Sequence, residues 1–347
     1  MKDRKAVARF GSRSAVRLAD LALLVRAPAA LSVPGDVIAG AAAAGRPLNA
    51  RTLGVIGSSV CLYWAGMALN DYADATVDSV ERPDRPVPSG RVPRRAALAV
   101  AGGLTVAGLG LAAVAGGRRS VGAAVPLAGL VWAYDLKLKS TPWGGVAMAG
   151  ARVVDVLAGA VVPGRGAGSV GGALRRAAVP AGLVGVHTGT LMALSRYEVG
   201  GAPVRVPAAT LAVSAVTAVA TGLSVGRGAA KGALSGAVPS GLVAPRGGAA
   251  NRHSPAPLKG VAGAARSKKL VAAAGALAYL GTYGTAQVRA LRQPSAENVQ
   301  RAVGAGILGL MPLQAALTAR GGAPGLAAAL GVVHPLARRL ARRISPT

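Results

Sequence analysis

The chain has 347 residues, of which 52% are hydrophobic, and its formal net charge is +28. A single cysteine, Cys61, excludes internal disulfides and cysteine-rich metal sites. The basic residues lie between apolar blocks and do not form one basic face, which argues against nucleic acid as a partner. Those blocks, about 17–25 residues long, suffice to cross a bilayer as helices. The sequence therefore predicts an all-α, polytopic membrane protein.

The chain begins with a basic segment, residues 1–19, which we interpret as a retained cytoplasmic tail. Seven predicted spans follow within residues 20–226, and a basic connection rich in Gly, Ala and Pro covers 227–269. Residues 270–347 contain the last two spans and a basic tail. The nine predicted spans cover residues 20–44, 52–70, 96–116, 120–136, 144–163, 174–195, 206–226, 270–290 and 300–319.

With the N-terminus inside, four loops become cytoplasmic: 71–95, 137–143, 196–205 and 291–299. The first of these loops is rich in arginine, as the positive-inside rule expects. The connection 227–269 would then lie outside despite its basic residues, which conflicts with that rule. The abundant Ala and Gly predict close helix packing within the membrane.

An acidic cluster follows the second predicted span. One face of a helix would carry an amide and three carboxylates, those of Asn70, Asp71, Asp74 and Asp78. Three carboxylates on one face repel one another unless a cation lies among them, and oxygen ligands of this kind suit Mg²⁺. The alternative is a solvated loop that is neutralised by Arg82 and Arg85. The one-sided spacing directly after an apolar span favours a metal–diphosphate site.

The segment after the cluster contains prolines and arginines, ERPDRPVPSGR, which end the helix and stiffen the loop. Arg85 and Arg91 on such a loop can bind phosphate oxygens bidentately. The alternative is that these arginines contact lipid headgroups.

The segment NDYADATVDSVERPDRPVPSGRV resembles the first aspartate motif of the UbiA superfamily of intramembrane prenyltransferases. The resemblance implies about nine helices around a central cavity that opens to lipid. It also implies Mg²⁺-assisted ionisation of a prenyl diphosphate and capture of the allylic cation by a lipophilic acceptor. On this resemblance Asn70, Asp74 and Asp78 would bind Mg²⁺ and diphosphate, and Asp71 would support them.

A second stretch, YDLKLKSTP, resembles the part of the family in which cations face the diphosphate. It makes Tyr134, Lys137 and Lys139 candidate substrate-binding residues, although lysines at this depth also snorkel to the interface. Arg26 resembles a further family position near the cavity. An arginine within the membrane needs a partner, and Asp36 is one candidate. Arg152 and Asp155, three residues apart, could neutralise each other.

Where the family has its second aspartate motif, this chain reads HTGTLMALSRYEVGG and departs from the family pattern. It retains one carboxylate, Glu198, which becomes a candidate catalytic residue and Mg²⁺ ligand. Ser195 and Arg196 become candidate substrate-binding residues. His187 lies about 16 Å from Glu198 along the helix, so the two cannot share one metal. We interpret His187 as a packing or polar-network residue, with a general base as the alternative.

The resemblance is strongest to an EboC-like actinobacterial branch, and the Ala, Gly and Arg content fits a GC-rich bacterial genome. The first functional hypothesis is a prenyltransferase of the plasma membrane. The second is a non-catalytic relative that translocates a lipid carrier or metabolite. This hypothesis is suggested by the second motif, which retains only one carboxylate. The third is an ion-coupled transporter, for which Asp36 and Asp155 are the candidate carboxylates.

Overall fold

A computed structural model describes residues 16–164, 168–223 and 259–344. Within these ranges every regular element is helical, which confirms the predicted all-α class. The helices are α1 (Leu18–Leu24), α2 (Val33–Ala43), α3 (Ala50–Ala73), α4 (Ala75–Glu81), α5 (Arg94–Ala133), α6 (Gly144–Ala160), α7 (Val170–Ser195), α8 (Arg205–Leu223), α9 (Lys259–Tyr279), α10 (Thr285–Arg292), α11 (Ala296–Arg320) and α12 (Pro324–Ile344). Two π-helical turns, Tyr134–Leu138 and Leu280–Gly284, follow α5 and α9.

Five helices of the described part are long and apolar enough to cross a membrane. They are Ala50–Ala73, Arg94–Leu138, Val170–Ser195, Arg205–Gly222 and Ala296–Arg320. The longest is broken at Gly117, where φ is 58° and ψ is −144°, so the predicted spans 96–116 and 120–136 lie on either side of a bend. The protein is therefore a multi-pass membrane bundle, whereas the number nine and the central cavity stay predictions.

The first predicted span, 20–44, is not one continuous helix, and that prediction was wrong. A 3₁₀ segment, Ala27–Ser32, separates α1 from α2. Arg26 lies just before it with φ of 45°, outside helical geometry. Pro28 accounts for the break, because proline lacks the N–H that a continuous helix needs and disfavours helical geometry in the residue before it.

Glycines bring α2 and α6 into backbone contact. A Cβ atom on Gly40 would lie 1.7 Å from the carbonyl oxygen of Val156, and one on Gly159 would lie 1.9 Å from that of Val37. Only glycine fits at either position, so the two helices pack as closely as the small-residue composition predicted.

A polar network joins α2, α6 and α11. The Arg152 guanidinium lies 2.8 Å from Asp36 Oδ2, and Gln314 Nε2 donates to Asp36 Oδ1 at 2.7 Å. Arg152 also lies over the ring of Tyr63, with 4.7 Å from its Cζ to the ring centroid. The expected mutual neutralisation of Arg152 and Asp155 is therefore not the main pairing, since Asp155 accepts a hydrogen bond from Ser59 and Arg152 pairs with Asp36.

The predicted aperiodic connection, 227–269, falls largely outside the described residues. The last part of this connection, from Lys259 onward, is helical and belongs to α9. The apolar stretch near 323–337 forms part of α12, of which Pro324–Val333 is a short apolar helix.

Candidate functional site

The acidic cluster lies where α3 ends and α4 begins. Asp74 stands between the two helices, and its N–H still donates to the carbonyl of Asn70 at 2.9 Å. The side chains of Asp71 and Asp78 are each 2% exposed, whereas that of Asp74 is 29% exposed. Asp74 is therefore the carboxylate of the cluster that a ligand reaches most readily.

The proline-rich loop returns its arginines to this cluster. Arg85 Nη1 lies 2.5 Å from Asp78 Oδ2 and 3.6 Å from Asp71 Oδ1. Arg82 lies 3.8 Å from the other oxygen of Asp78. A hydrogen bond of 2.9 Å from Val92 N to the Pro86 carbonyl closes the loop. Both arginines that the sequence offered as neutralising partners thus contact the cluster.

Arg26 approaches the cluster from its position just before the 3₁₀ segment. Its Nη2 lies 3.3 Å from Asp71 Oδ1 and 3.4 Å from Asn70 Oδ1. The partner of Arg26 is therefore Asp71, and the suggested pairing with Asp36 was wrong, because Asp36 is held by Arg152 on α6. The positive φ of Arg26 directs the chain so that its side chain meets the end of α3.

The π-helical turn after α5 supplies the remaining cation. Lys139 forms an ion pair with Asp74. Tyr134 lies close enough to Asp74 to interact with it electrostatically. Lys137 is exposed and has no ion-pair partner among the described residues. The structure therefore brings Tyr134 and Lys139 to the cluster and leaves Lys137 at the surface.

Asp135 is a residue of the cluster that the sequence reasoning did not select. It is 5% exposed and lies close enough to Asn70 and Lys139 to interact with both. Its spacing of four residues from Lys139 could have identified it, because such pairs face each other on a helix.

The second motif lies at the same end of the bundle. Glu198 interacts electrostatically with Arg82, and its carbonyl accepts a hydrogen bond from Gln300 Nε2 at 3.0 Å. Burial raises the pKa of Glu198 above its usual range, against the opposing effect of Arg82. Arg196 donates to the carbonyl of Pro142 at 3.0 Å, and Ser195 donates to that of Met192 at 3.0 Å. The side chains of Arg196 and Ser195 therefore both donate hydrogen bonds to backbone carbonyls.

Arg91 lies apart from the acidic cluster. Its Nη1 is 3.1 Å from Asp20 Oδ1 on α1, and its Nη2 donates to the carbonyl of Asp84 at 2.5 Å. In this arrangement Arg91 fastens the proline-rich loop to α1.

His187 has both ring nitrogens paired within the bundle. Nδ1 lies 3.0 Å from the hydroxyl of Tyr279, and Nε2 lies 3.1 Å from the carbonyl oxygen of Gly306. Its ring also packs edge to face with Tyr283. These contacts match the packing and polar-network interpretation.

The cluster offers oxygen ligands that are already paired with cations. In the described residues, no three His, Cys, Asp or Glu side chains are arranged as a ready metal site. The donors are nevertheless carboxylate and amide oxygens, which are the ligands that Mg²⁺ prefers. The donor chemistry therefore fits Mg²⁺ if Lys139 and Arg26 exchange their carboxylate partners for the anion that the metal accompanies.

Known proteins share both sequence and fold with this chain. The profile of the UbiA prenyltransferase family matches residues 33–237. A digeranylgeranylglyceryl phosphate synthase from Methanopyrus kandleri is 42% identical over 110 residues, which are 32% of this chain and 38% of the relative. A protein of the same name from Ignicoccus hospitalis is 33% identical over 157 residues, 44% of this chain and 50% of the relative. The matched segments thus span half or less of these relatives.

A solved structure of a UbiA homolog from Aeropyrum pernix K1 superposes with a TM-score of 0.57 at 17% identity. The superposition covers 88% of this chain and 97% of that protein, and it shows a shared fold. The relatives named here are archaeal, so the EboC-like branch and the bacterial origin stay predictions. The family profile covers more than half of the chain, and the chain therefore belongs to the UbiA prenyltransferase family.

Proposed function

We propose that the protein is a Mg²⁺-dependent intramembrane prenyltransferase, which transfers a prenyl group from a polyprenyl diphosphate to a lipophilic acceptor. The observation that carries the proposal is the charge arrangement at one end of the bundle. There Asn70, Asp74 and Asp78 meet the side chains of Lys139 and Arg85 in a chain of this family. Such an end of a membrane bundle combines ligands for a metal with cations for a diphosphate.

The side chains of this end have separable tasks. Asn70, Asp74, Asp78 and Glu198 are the residues that would hold Mg²⁺. A bound Mg²⁺ would neutralise the negative charge that grows on the departing diphosphate. Lys139 and Arg26, which now pair with carboxylates, would turn to the phosphate oxygens. Arg85 would keep Asp71 and Asp78 compensated throughout.

The chemistry that follows is a substitution at the first prenyl carbon. The bond between that carbon and the diphosphate oxygen breaks, and the electron pair leaves with the diphosphate. The acceptor then donates an electron pair to the allylic cation and loses a proton, which the released diphosphate takes up. Apolar helices around the prenyl chain would keep water from capturing the cation. The name of the archaeal relatives makes geranylgeranyl diphosphate the first donor to test.

A non-catalytic carrier is the second candidate function. It is favoured by one observation, the single carboxylate Glu198 in the segment where the family has its second aspartate motif. Ion-coupled transport draws less support, because Asp36, one of its two candidate carboxylates, is neutralised by Arg152.

We further propose that the protein spans the plasma membrane with its N-terminus and the acidic cluster on the cytoplasmic side. The arginines of the loop after α4 support this orientation through the positive-inside rule.

The test compares membranes that contain the wild type, Asp74→Asn or Glu297→Gln. Glu297 pairs with Arg301 on the surface of α11 and serves as the control for removing a paired carboxylate. Diphosphate release from geranylgeranyl diphosphate is measured with Mg²⁺ and with a chelator. We expect Asp74→Asn to lower the Mg²⁺-dependent rate by roughly 100-fold, since a lost charge stabiliser of a transition state costs about that much. The control should retain the wild-type rate.

An unchanged rate in Asp74→Asn would rule out the assignment. Radiolabelled prenyl diphosphate that binds to the wild type without yielding product, across many acceptors, would instead favour the carrier.

A further inference from the structure

Asp135 adds a fourth carboxylate to Asp71, Asp74 and Asp78 of the acidic cluster. Its side chain is almost fully buried, and it lies close enough to Asn70 to interact with it. A Cβ atom on Gly66 of the facing helix would lie 3.3 Å from Asp135 Oδ2. The carboxylate is therefore confined next to α3, where its interaction partners include Asn70 and Lys139.

The Asn70 amide has a defined orientation because of these contacts. Its Nδ2 donates to Asp74 Oδ2 at 2.9 Å, and the Asp135 carboxylate lies close enough to the same amide to interact with it. Its Oδ1 faces the other way and accepts from Arg26 at 3.4 Å. An amide can serve as a cation ligand only through its oxygen. Two carboxylates on the nitrogen side thus keep Oδ1 turned toward Arg26, which would bind the diphosphate.

The π-helical turn explains why Asp135 and Lys139 both reach the cluster. The N–H of Lys139 donates to the carbonyl of Tyr134, five residues earlier, at 2.9 Å. This turn is wider than an α-helical turn, and turns of this kind are frequent at functional sites. Lys139 consequently lies between two carboxylates, since it forms an ion pair with Asp74 and interacts with Asp135.

We propose that Asp135 is a positioning residue, which fixes the Asn70 amide with its oxygen toward the Mg²⁺–diphosphate site. The inference rests on the proposed function of the site. In this proposal Asp135, which is 5% exposed, would contact neither the metal nor the diphosphate. Residues that orient a metal ligand from behind typically contribute 10–100-fold to metal affinity, so the effect should be measurable without turnover.

The test measures binding of inorganic diphosphate in the presence of Mg²⁺ to the purified full chain in detergent, by calorimetry. Asp135→Ala should weaken binding by roughly tenfold or more. Asp135→Asn keeps an oxygen that can accept from Asn70, and should retain most of the affinity. Asp155→Asn is the matched control, because Asp155 is a fully buried carboxylate on α6 that hydrogen-bonds with Ser59. It should bind as the wild type does.

A double-mutant cycle separates positioning from general packing. In an Asn70→Ala background, Asp135→Ala should cause no further loss of affinity, because the residue through which it acts is absent. If Asp135→Ala does not fold, the exchange Asn70→Asp with Asp135→Asn replaces it and preserves volume and charge. The exchanged protein should bind more tightly than Asn70→Asp alone, in which two carboxylates face each other.

Three results would overturn the inference: wild-type affinity in Asp135→Ala, an equal loss in the Asn70→Ala background, or no recovery in the exchanged protein. If Asp74→Asn loses binding while Asp135→Ala does not, only the role of Asp135 fails. If the wild type binds no Mg²⁺-dependent diphosphate, the proposed function fails as well.

Discussion

The Arg85 guanidinium lies between two buried carboxylates at the end of α3. Asp71 and Asp78 are each 2% exposed, and Arg85 contacts both. Arg82 and Arg26 reach one carboxylate each, Asp78 at 3.8 Å and Asp71 at 3.3 Å. The stability of the acidic end therefore depends on Arg85 more than on any other single cation of the cluster.

We expect Arg85→Ala to destabilise the protein, because breaking one side of a buried ion pair costs about 3–5 kcal/mol. Arg85→Lys should cost less, since it keeps the charge and loses only the planar guanidinium geometry. Thermal unfolding in detergent measures both variants. Arg205→Ala, at the exposed start of α8, is the control and should unfold at the wild-type temperature. An equal midpoint for Arg85→Ala and this control would show that Arg85 does not compensate the cluster.

Glu198 gives the site a predicted pH dependence. Burial raises its pKa above the ordinary value of 4.5, so its folded form holds a proton at a higher pH than an exposed glutamate does. Only the ionised form can bind a cation. Binding of Mg²⁺ and diphosphate should therefore weaken as the pH falls through this raised pKa, and this part of the pH profile should be absent in Glu198→Gln. Calorimetric titration across pH checks it, and identical profiles would exclude Glu198 from the site.

At the scale of residues, the sequence identified most of the side chains that the structure brings together at the acidic cluster. The spacing of Asn70, Asp74 and Asp78 is helical, so their common face was predictable. Asp135 was not selected, although its spacing of four residues from Lys139 was a usable signal. The π-helical turn that contains Asp135 was not predicted. The partner of Arg26 was also missed, since it depends on where Pro28 breaks the first span.

At the scale of elements, α2 and α6 show how the composition specifies packing. Gly40 and Gly159 each face the backbone of the other helix at distances that exclude a side chain. Abundant small residues predicted such contacts in general. Which glycines make them could not be predicted, because that depends on how the helices face each other in three dimensions.

Gly159→Val should prevent α2 and α6 from packing, because its Cβ would meet the carbonyl of Val37 at 1.9 Å. Relieving such a clash costs roughly 3 kcal/mol or more. Gly103→Ala on α5 is the control, since nothing lies within 4 Å of a Cβ there, and it should be neutral or stabilising by up to about 1 kcal/mol. The yield of monodisperse protein and the unfolding temperature measure both. Equal behaviour of the two variants would contradict the packing described here.

At the scale of the whole molecule, the loops between the helices lie at two opposite ends of the bundle. Contacts join the loops at the acidic end, from Asp74 to Lys139, from Arg196 to Pro142 and from Ala202 to Pro294. At the opposite end Arg46 reaches the carbonyl of Ala160. All four loops predicted to be cytoplasmic therefore lie at one end, as alternating spans require.

Cysteine labelling tests which end is cytoplasmic. In a Cys61→Ser background, Val199→Cys and Leu48→Cys place thiols at the two ends, where the native side chains are 94% and 46% exposed. A membrane-impermeant maleimide should label position 48 in intact cells, and position 199 only after the cells are opened. The reverse pattern would invert the proposed orientation.

The central claim is prenyl transfer at the acidic end, and the lipids of the cell report on it most directly. Lipid extracts are compared by mass spectrometry between cells that produce the wild type and cells that produce Asp74→Asn at equal levels. The proposal predicts a prenylated lipid that is present with the wild type and absent with the variant, and its mass would identify both donor and acceptor. Identical lipid profiles from the two kinds of cell would contradict the claim.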